Sequence, residues 1–230
     1  MKNILICAFF FFLSLGISIS SVAQGLAGHV GVTLPYGDFG DSNEKWGGAA
    51  KGPQIGIQYL WDIRKVKGVM FSLGVDAMYN GLGSDIKDYW QGSPNYFSKT
   101  HEFINVPVTA GLRYVQGLPN IWFLKFRDKL AVYAEAGAGP DFLKITDDAK
   151  YYSQKEDYIR GYKLSTRFGY KMGAGLSYKG KYYLGLNYYG LGTQDVKYKK
   201  SSSNSSTVSN VKINQLSLTL GVNFRAFKGK

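Results

Sequence analysis

The sequence predicts an all-β chain, an eight-stranded antiparallel up-and-down transmembrane β-barrel preceded by a secretion signal. Three observations predict it. Segments that alternate apolar and polar residues recur about eight times. The polar parity of those segments is rich in glycine, and an apolar N-terminal stretch closes on small residues. Side chains along a strand point to opposite faces with a period of two, so each segment has one apolar face and one polar face.

The N-terminus sets the compartment. Lys2 supplies a short positive region, Ile4 to Ile19 is nearly all apolar, and Ser21-Val22-Ala23 offers the small residues a signal peptidase requires. Residues 1–23 are therefore expected to be a signal peptide and 24–230 the barrel domain. A retained anchor is the alternative, but small residues follow the run where an anchor would carry basic flanks. Cys7 leaves with the signal, so the mature chain carries no cysteine and no disulfide or thiol nucleophile. The chain is basic, with a formal charge of +12. No basic helix or nucleic-acid motif accompanies that charge, which is read as a membrane-surface feature.

The elements follow in order, each with one outward parity. Strand one presents Leu26, Val30, Val32 and Leu34; strand two presents Ile55, Ile57, Tyr59 and Trp61. Strand three runs from Val69 to Tyr79 and strand four from Ile104 to Tyr114. Strand five runs from Leu130 to Phe142, strand six from Leu164 to Tyr178, and strand seven from Tyr182 to Tyr188. Leu216, Leu218, Leu220, Val222 and Phe224 form the last. Eight is an even number, as single-chain bacterial barrels require.

Connections support the same topology. Long polar stretches follow strands one, three, five and seven. Short links follow two and six, with Lys179-Gly180-Lys181 a tight hairpin that sets Tyr178 opposite Tyr182. Gln116 to Lys129 is longer than a turn should be. Long outside and short in the periplasm is the habit of outer-membrane barrels. The short side gathers Arg64, Lys65, Lys67, Lys125, Arg127, Lys129, Lys179, Lys181, Lys228 and Lys230 against Asp62 and Asp128, a basic rim suited to anionic lipid headgroups. Lys197 to Ser206 reads as solvated and mobile.

A soluble lipocalin-like barrel alternates as well. The inward parity separates the two, because Gly56, Gly74, Gly111, Gly137, Gly173, Gly175, Gly185 and Gly221 suit a narrow lumen better than a solvated strand face. Aromatic residues also cap the apolar parity at both margins, Tyr59, Trp61, Tyr114, Tyr178 and Tyr182 at one and Tyr79, Phe142 and Tyr188 at the other.

On these residues the chain resembles the small eight-stranded outer-membrane β-barrel domain family, relatives of the transmembrane domain of outer membrane protein A and of porin-like and opacity-type small barrels. The resemblance spans Gly25 to Phe227. Gly31-Val32-Thr33-Leu34-Pro35-Tyr36-Gly37-Asp38-Phe39, Val106-Pro107-Val108 and Tyr133-Ala134-Glu135-Ala136-Gly137-Ala138-Gly139 carry it locally. Thr219, Gly221 and Phe224 resemble the assembly signal read by the barrel-insertion machinery, although Ala226 stands where a final aromatic is usual. The resemblance implies a fold and a location in the cell outer membrane.

Function is expected from the lumen and the loops. The inward set carries Asp76, Arg113, Glu135, Asp141, Arg167 and Lys171. Asp141 is expected to pair with Arg167 near the outer mouth, and Glu135 to lie between Arg113 and Lys171, plugging the barrel. Tyr89, Trp90, Tyr96, Phe97, Tyr151, Tyr152 and Tyr158 interleave with charge in the outer loops and form a candidate surface for a protein or sugar partner. Enzymatic activity is not expected. Only His29 and His101 are present; His101 lacks the serine two residues on that lipid A deacylases carry, and His29 reads as a hydrogen-bonded lumen filler. Two isolated histidines make no metal set, and no cofactor is expected. The expected role is structural, adhesive or partner-binding. The alternatives are an accessory of an outer-membrane secretion or assembly system and, further off, a lipid A-modifying enzyme or a small channel. Expected partners are outer-membrane lipids, the barrel-assembly machinery, and an extracellular or periplasmic protein.

Overall fold

A computed structural model of the protein describes residues 24–40, 48–63, 66–81, 98–118, 129–150, 158–199 and 205–224. The signal segment, most of the aromatic loop residues, Arg64, Lys65, Lys125, Arg127 and the C-terminal tail lie outside them. Eight strands form: β1 (Gln24–Tyr36), β2 (Gly52–Asp62), β3 (Val69–Gly81), β4 (Ser98–Gly117), β5 (Leu130–Lys150), β6 (Tyr158–Tyr178), β7 (Tyr182–Lys199) and β8 (Ser205–Asn223). Each pairs antiparallel with its sequence neighbours, and β8 pairs back to β1, so the sheet closes. Closure removes every edge in the spanning section, the condition a sheet must meet to cross lipid.

Local chemistry explains the joints. Lys179 and Gly180 take positive φ of 55° and 61°, and the Lys181 N–H donates to the Tyr178 carbonyl at 3.0 Å. Two positive φ values match the right-handed twist of the flanking strands, so the hairpin closes tightly with Tyr178 opposite Tyr182. The β3–β4 ladder is interrupted opposite Val106 and Pro107, and the β4–β5 ladder opposite Gly139 and Pro140. Each interruption sits at a proline, which has no N–H to give.

The outward parity is a lipid surface. Val30, Ile55, Ile57, Leu186, Leu218 and Leu220 are each more than half exposed, an arrangement stable only where the surroundings are themselves apolar. Tyr59, Trp61 and Phe71 stack along one margin, with ring centroids 5.5 Å and 4.1 Å apart. Tyr170 and Tyr188 meet at 6.0 Å along the other. Such girdles mark the two water–lipid interfaces. The protein is a membrane-spanning barrel of the outer-membrane type.

Five strands run well past the outer girdle, which corrects the sequence reading. Strand five was expected to end at Phe142 and strand seven at Tyr188, with strand eight beginning at Leu216; they reach Lys150, Lys199 and Ser205. At the two ends of the segment expected to be mobile a ladder forms, with Lys197 opposite Thr207 and Lys199 opposite Ser205, while residues 200–204 lie outside the described residues. In this extension the amphipathic phase inverts. Phe103, Leu143, Val211 and Ile213 point inward and are buried, while Lys144 and Lys212 point outward and are exposed. Phe39, from the turn Gly37–Phe39 after β1, drops into the mouth and meets Phe103 edge-to-face at 5.2 Å. Above the girdle the surroundings are water, so the apolar side chains move inside.

Candidate functional site

The densest polar chemistry lies in the lumen beneath that apolar lid. Arg113 from β4, Glu135 from β5 and Lys171 from β6 point inward on consecutive strands and are all buried. Arg113 donates to Glu135 Oε2 from Nε at 2.9 Å and from Nη2 at 2.5 Å, and Lys171 Nζ stands 2.9 Å from Glu135 Oε1. Gln58 completes this half: its amide donates to Glu135 at 3.1 Å, and its carbonyl accepts from Arg113 at 2.6 Å. Both oxygens of Glu135 are occupied, which a buried carboxylate requires.

A second acidic centre lies beside the first. Asp76 Oδ1 accepts from His29 Nε2 at 2.5 Å and Gln54 Nε2 at 2.9 Å; Oδ2 accepts from the Tyr189 hydroxyl at 3.0 Å. Lys171 Nζ, 3.8 Å from Asp76 Oδ2, joins the two centres. A carboxylate only accepts, so His29 Nε2 carries a proton; Nδ1 lies 3.2 Å from the Tyr183 hydroxyl, which donates to the Gly28 carbonyl at 3.4 Å. Ser217 donates to the Gln54 carbonyl and fixes the orientation of that amide.

Aromatic rings complete the packing. The Arg113 guanidinium lies 4.5 Å from the Tyr133 ring centroid and 5.4 Å from that of Tyr183; Lys171 Nζ lies 5.5 Å from Tyr189. These are cation–π distances in a desolvated site. The rings fit because the wall beneath them is bare: a Cβ on Gly221 would collide with the Tyr183 ring, and one on Gly175 with Tyr133. Inward glycine is thus the counterpart of inward tyrosine.

The predicted lumen residues divide. Asp76, Arg113, Glu135 and Lys171 converge. Asp141 and Arg167 do not, which corrects the expected pair. They are register partners across β5 and β6, but Arg167 is exposed and both Asp141 oxygens are buried without a hydrogen-bond partner. A long guanidinium at the rim gains more from water than from a desolvated carboxylate. Of the assembly residues, Thr219 is buried and accepts from Asn187 at 3.1 Å, and Gly221 lies under Tyr183. Phe224 is outward and exposed against Gly28, with its N–H donating to the Leu26 carbonyl at 2.8 Å. In the loop set Tyr158 opens β6 opposite Lys150, while Tyr89, Trp90, Tyr96, Phe97, Tyr151 and Tyr152 lie outside the described residues.

Sequence reasoning missed Gln54, Gln58, Tyr133, Tyr183 and Tyr189 as members of the network, and placed His29 inward without naming Asp76 as its acceptor. All share the inward parity, so the signal was present. What singles them out is height along the barrel. Chemically, the network neutralises charge and braces the wall. His29, Asp76 and Tyr183 form a buried imidazole–carboxylate–phenol chain.

Neither a protein-family model nor a curated relative matches the chain. Among solved structures, a major outer membrane protein from Thermus thermophilus is similar, at 14% identity and a TM-score of 0.47, over 88% of this chain and 100% of that one. The attachment invasion locus protein Ail of Yersinia pestis, solved with a heparin analogue, gives 13% and 0.45 over 87% and 97%. Neisserial surface protein A gives 15% and 0.42 over 87% and 96%.

Proposed function

We propose that this protein is a non-conducting barrel of the outer membrane whose extracellular strand extension and aromatic loops engage a protein or glycan partner. One observation carries the reading: strands β4 to β8 continue past the aromatic girdle into a section that is apolar inside and polar outside. A barrel that only anchored itself would need strands of about 9–11 residues, whereas β5 and β6 have 21 each. The extra length lifts the connecting loops, where binding residues concentrate, clear of the membrane.

The test removes the tips of the extension, residues 147–161 and 199–205, with short glycine-containing turns in their place. Cells displaying the trimmed barrel are expected to lose adherence to glycan- or protein-coated surfaces, while the barrel still shifts on gels before and after boiling. Undiminished adherence would overturn the reading. Purified wild-type protein is expected to show no steady conductance in planar bilayers, because the ion-pair network fills the lumen; a large, stable channel would promote a transport role.

The basic periplasmic rim supports an accessory reading. The Lys179 N–H donates to the Lys129 carbonyl at 2.5 Å, gathering Lys129, Lys179 and Lys181 at one edge. The ammonium groups of Lys179 and Lys181 each lie 5.4 Å from a girdle tyrosine ring. A periplasmic protein that co-purifies with the wild type and is lost on charge reversal at these lysines would favour it over adhesion.

A further inference from the structure

At the periplasmic end of the lipid face the outward parity of β1 breaks. Between Leu26 and Val30 stands Gly28, which offers the bilayer no side chain. The Phe224 ring lies over that gap, where a Cβ on Gly28 would come within 3.1 Å of it. From this low point an open groove of about 820 Å³ crosses the outward face, passing Leu176, Leu184, Leu220 and Val222. The register runs Gly28 opposite Val222, Val222 opposite Tyr182 and Tyr182 opposite Tyr178, so one row of the groove spans β1, β8, β7 and β6. Its volume falls within the roughly 300–1,000 Å³ of small-molecule sites. Most of its lining is aliphatic or aromatic, which selects hydrocarbon over water.

Positive charge gathers at the lower lip of that row. The Lys179 and Lys181 ammonium groups lie 5.4 Å from the ring centroids of Tyr178 and Tyr182 respectively. Those rings belong to the outward parity, so the two cations are held at the membrane surface. Lys129 joins them from the neighbouring turn: it is exposed, and its carbonyl accepts from the Lys179 N–H at 2.5 Å. Among the described residues no carboxylate pairs with any of the three. A ring face occupies one side of an ammonium and leaves N–H donors free for an anion.

We propose that this groove is a binding site for an anionic phospholipid of the periplasmic leaflet. Its phosphate meets Lys179, Lys181 and Lys129, and an acyl chain lies along Leu184, Leu220 and Val222 toward Gly28. The site is apolar above and cationic below, as the lipid is apolar above and anionic below. An acyl chain or a basic cluster alone holds a membrane ligand weakly, and the two together hold it stably. A second copy of the chain is disfavoured, because a two-fold contact through this face sets the same lysines against one another. A periplasmic protein reaches the lysines from below but does not fill a groove that faces hydrocarbon.

The test uses mature protein purified in uncharged detergent micelles doped with phosphatidylglycerol or with phosphatidylcholine of the same acyl chains. The unfolding temperature is read from the heat-modifiable band. Phosphatidylglycerol is expected to raise the wild-type midpoint above that in phosphatidylcholine. The difference should vanish when Lys129→Gln, Lys179→Gln and Lys181→Gln are combined. It should persist when Lys51→Gln, Lys67→Gln and Lys212→Gln remove the same charge at exposed sites away from the groove. Equal wild-type midpoints in the two lipids would overturn the proposal and leave the lysines to a periplasmic protein. Equal loss in both triple variants would overturn it as well, since the effect is then one of net charge. Glycerol phosphate without chains is expected to give no shift, and the full shift from it would replace the lipid site by a free phosphate site. Should the first triple variant not fold, native mass spectrometry of wild-type protein released from equimolar mixed-lipid micelles gives the second reading. Preferential retention of phosphatidylglycerol supports the site, and equal retention of the two lipids refutes it.

Discussion

The two sections of this barrel solve opposite solvent problems with one sheet. In the membrane section the outside is aliphatic and the inside charged, with Leu186, Leu218 and Leu220 outward and Arg113, Glu135 and Lys171 within. In the extension the inside is aliphatic and aromatic and the outside charged, with Ile213 inward and Lys212 outward. The backbone ladder continues through the change, as the unbroken β5–β6 pairing from Leu130 opposite Tyr178 to Lys150 opposite Tyr158 shows. The membrane boundary is therefore recorded in side-chain phase and not in secondary structure. A charged residue is core in one section and surface in the other, so its burial alone says little until its height is known.

The comparison can be broken most severely at the C-terminus. Residues 220–223 of β8 close the ring against β1 and β7 in the membrane section. Deleting Leu220 to Lys230 is expected to abolish the heat-modifiable barrel in cells, whereas trimming the β7–β8 tip at 199–205 should leave it intact. A folded barrel from the first deletion would show that closure lies elsewhere.

Single substitutions in the two interiors come next. Glu135→Leu strands Arg113 and Lys171 without their shared acceptor and should cost about 3–5 kcal/mol, seen as a clearly lower urea midpoint. Phe103→Leu, in the apolar interior of the extension, keeps the chemistry and most of the volume. It should cost no more than about 1.5 kcal/mol. Equal losses would mean that the two interiors are not different in kind.

The exteriors give a smaller contrast. Leu186 lies between Ala174 and Leu218 on the lipid face. Leu186→Arg should destabilise folding into lipid vesicles by roughly 2–4 kcal/mol if the position is near the midplane. Lys212→Leu, on the exposed face of the extension, should change stability by less than about 0.5 kcal/mol. A large penalty at Lys212 would move the boundary upward.

Much of the fold was legible because the bilayer imposes one rule on every spanning strand. The period of two, the even strand number, the Tyr178–Tyr182 hairpin and the inward glycines all followed from that rule. The strand ends were not legible, for a related reason. Where the phase inverts, a reading that tracks one apolar face sees the pattern stop, so the expected ends at Phe142, Tyr188 and Leu216 fall near the outer girdle while the strands themselves go on.

The sequence by itself determined which side chains share the lumen, since parity is a property of the chain. It placed Glu135 between Arg113 and Lys171 because consecutive strands must present their inward sets to one narrow space. Only the tertiary structure decided which of them touch. Height depends on register and tilt around the closed ring, and these bring Asp76 to His29, Gln54 and Tyr189 from three other strands. The same geometry leaves Asp141 without Arg167, because being opposite in register does not oblige a long cation near water to give up its hydration for a buried carboxylate.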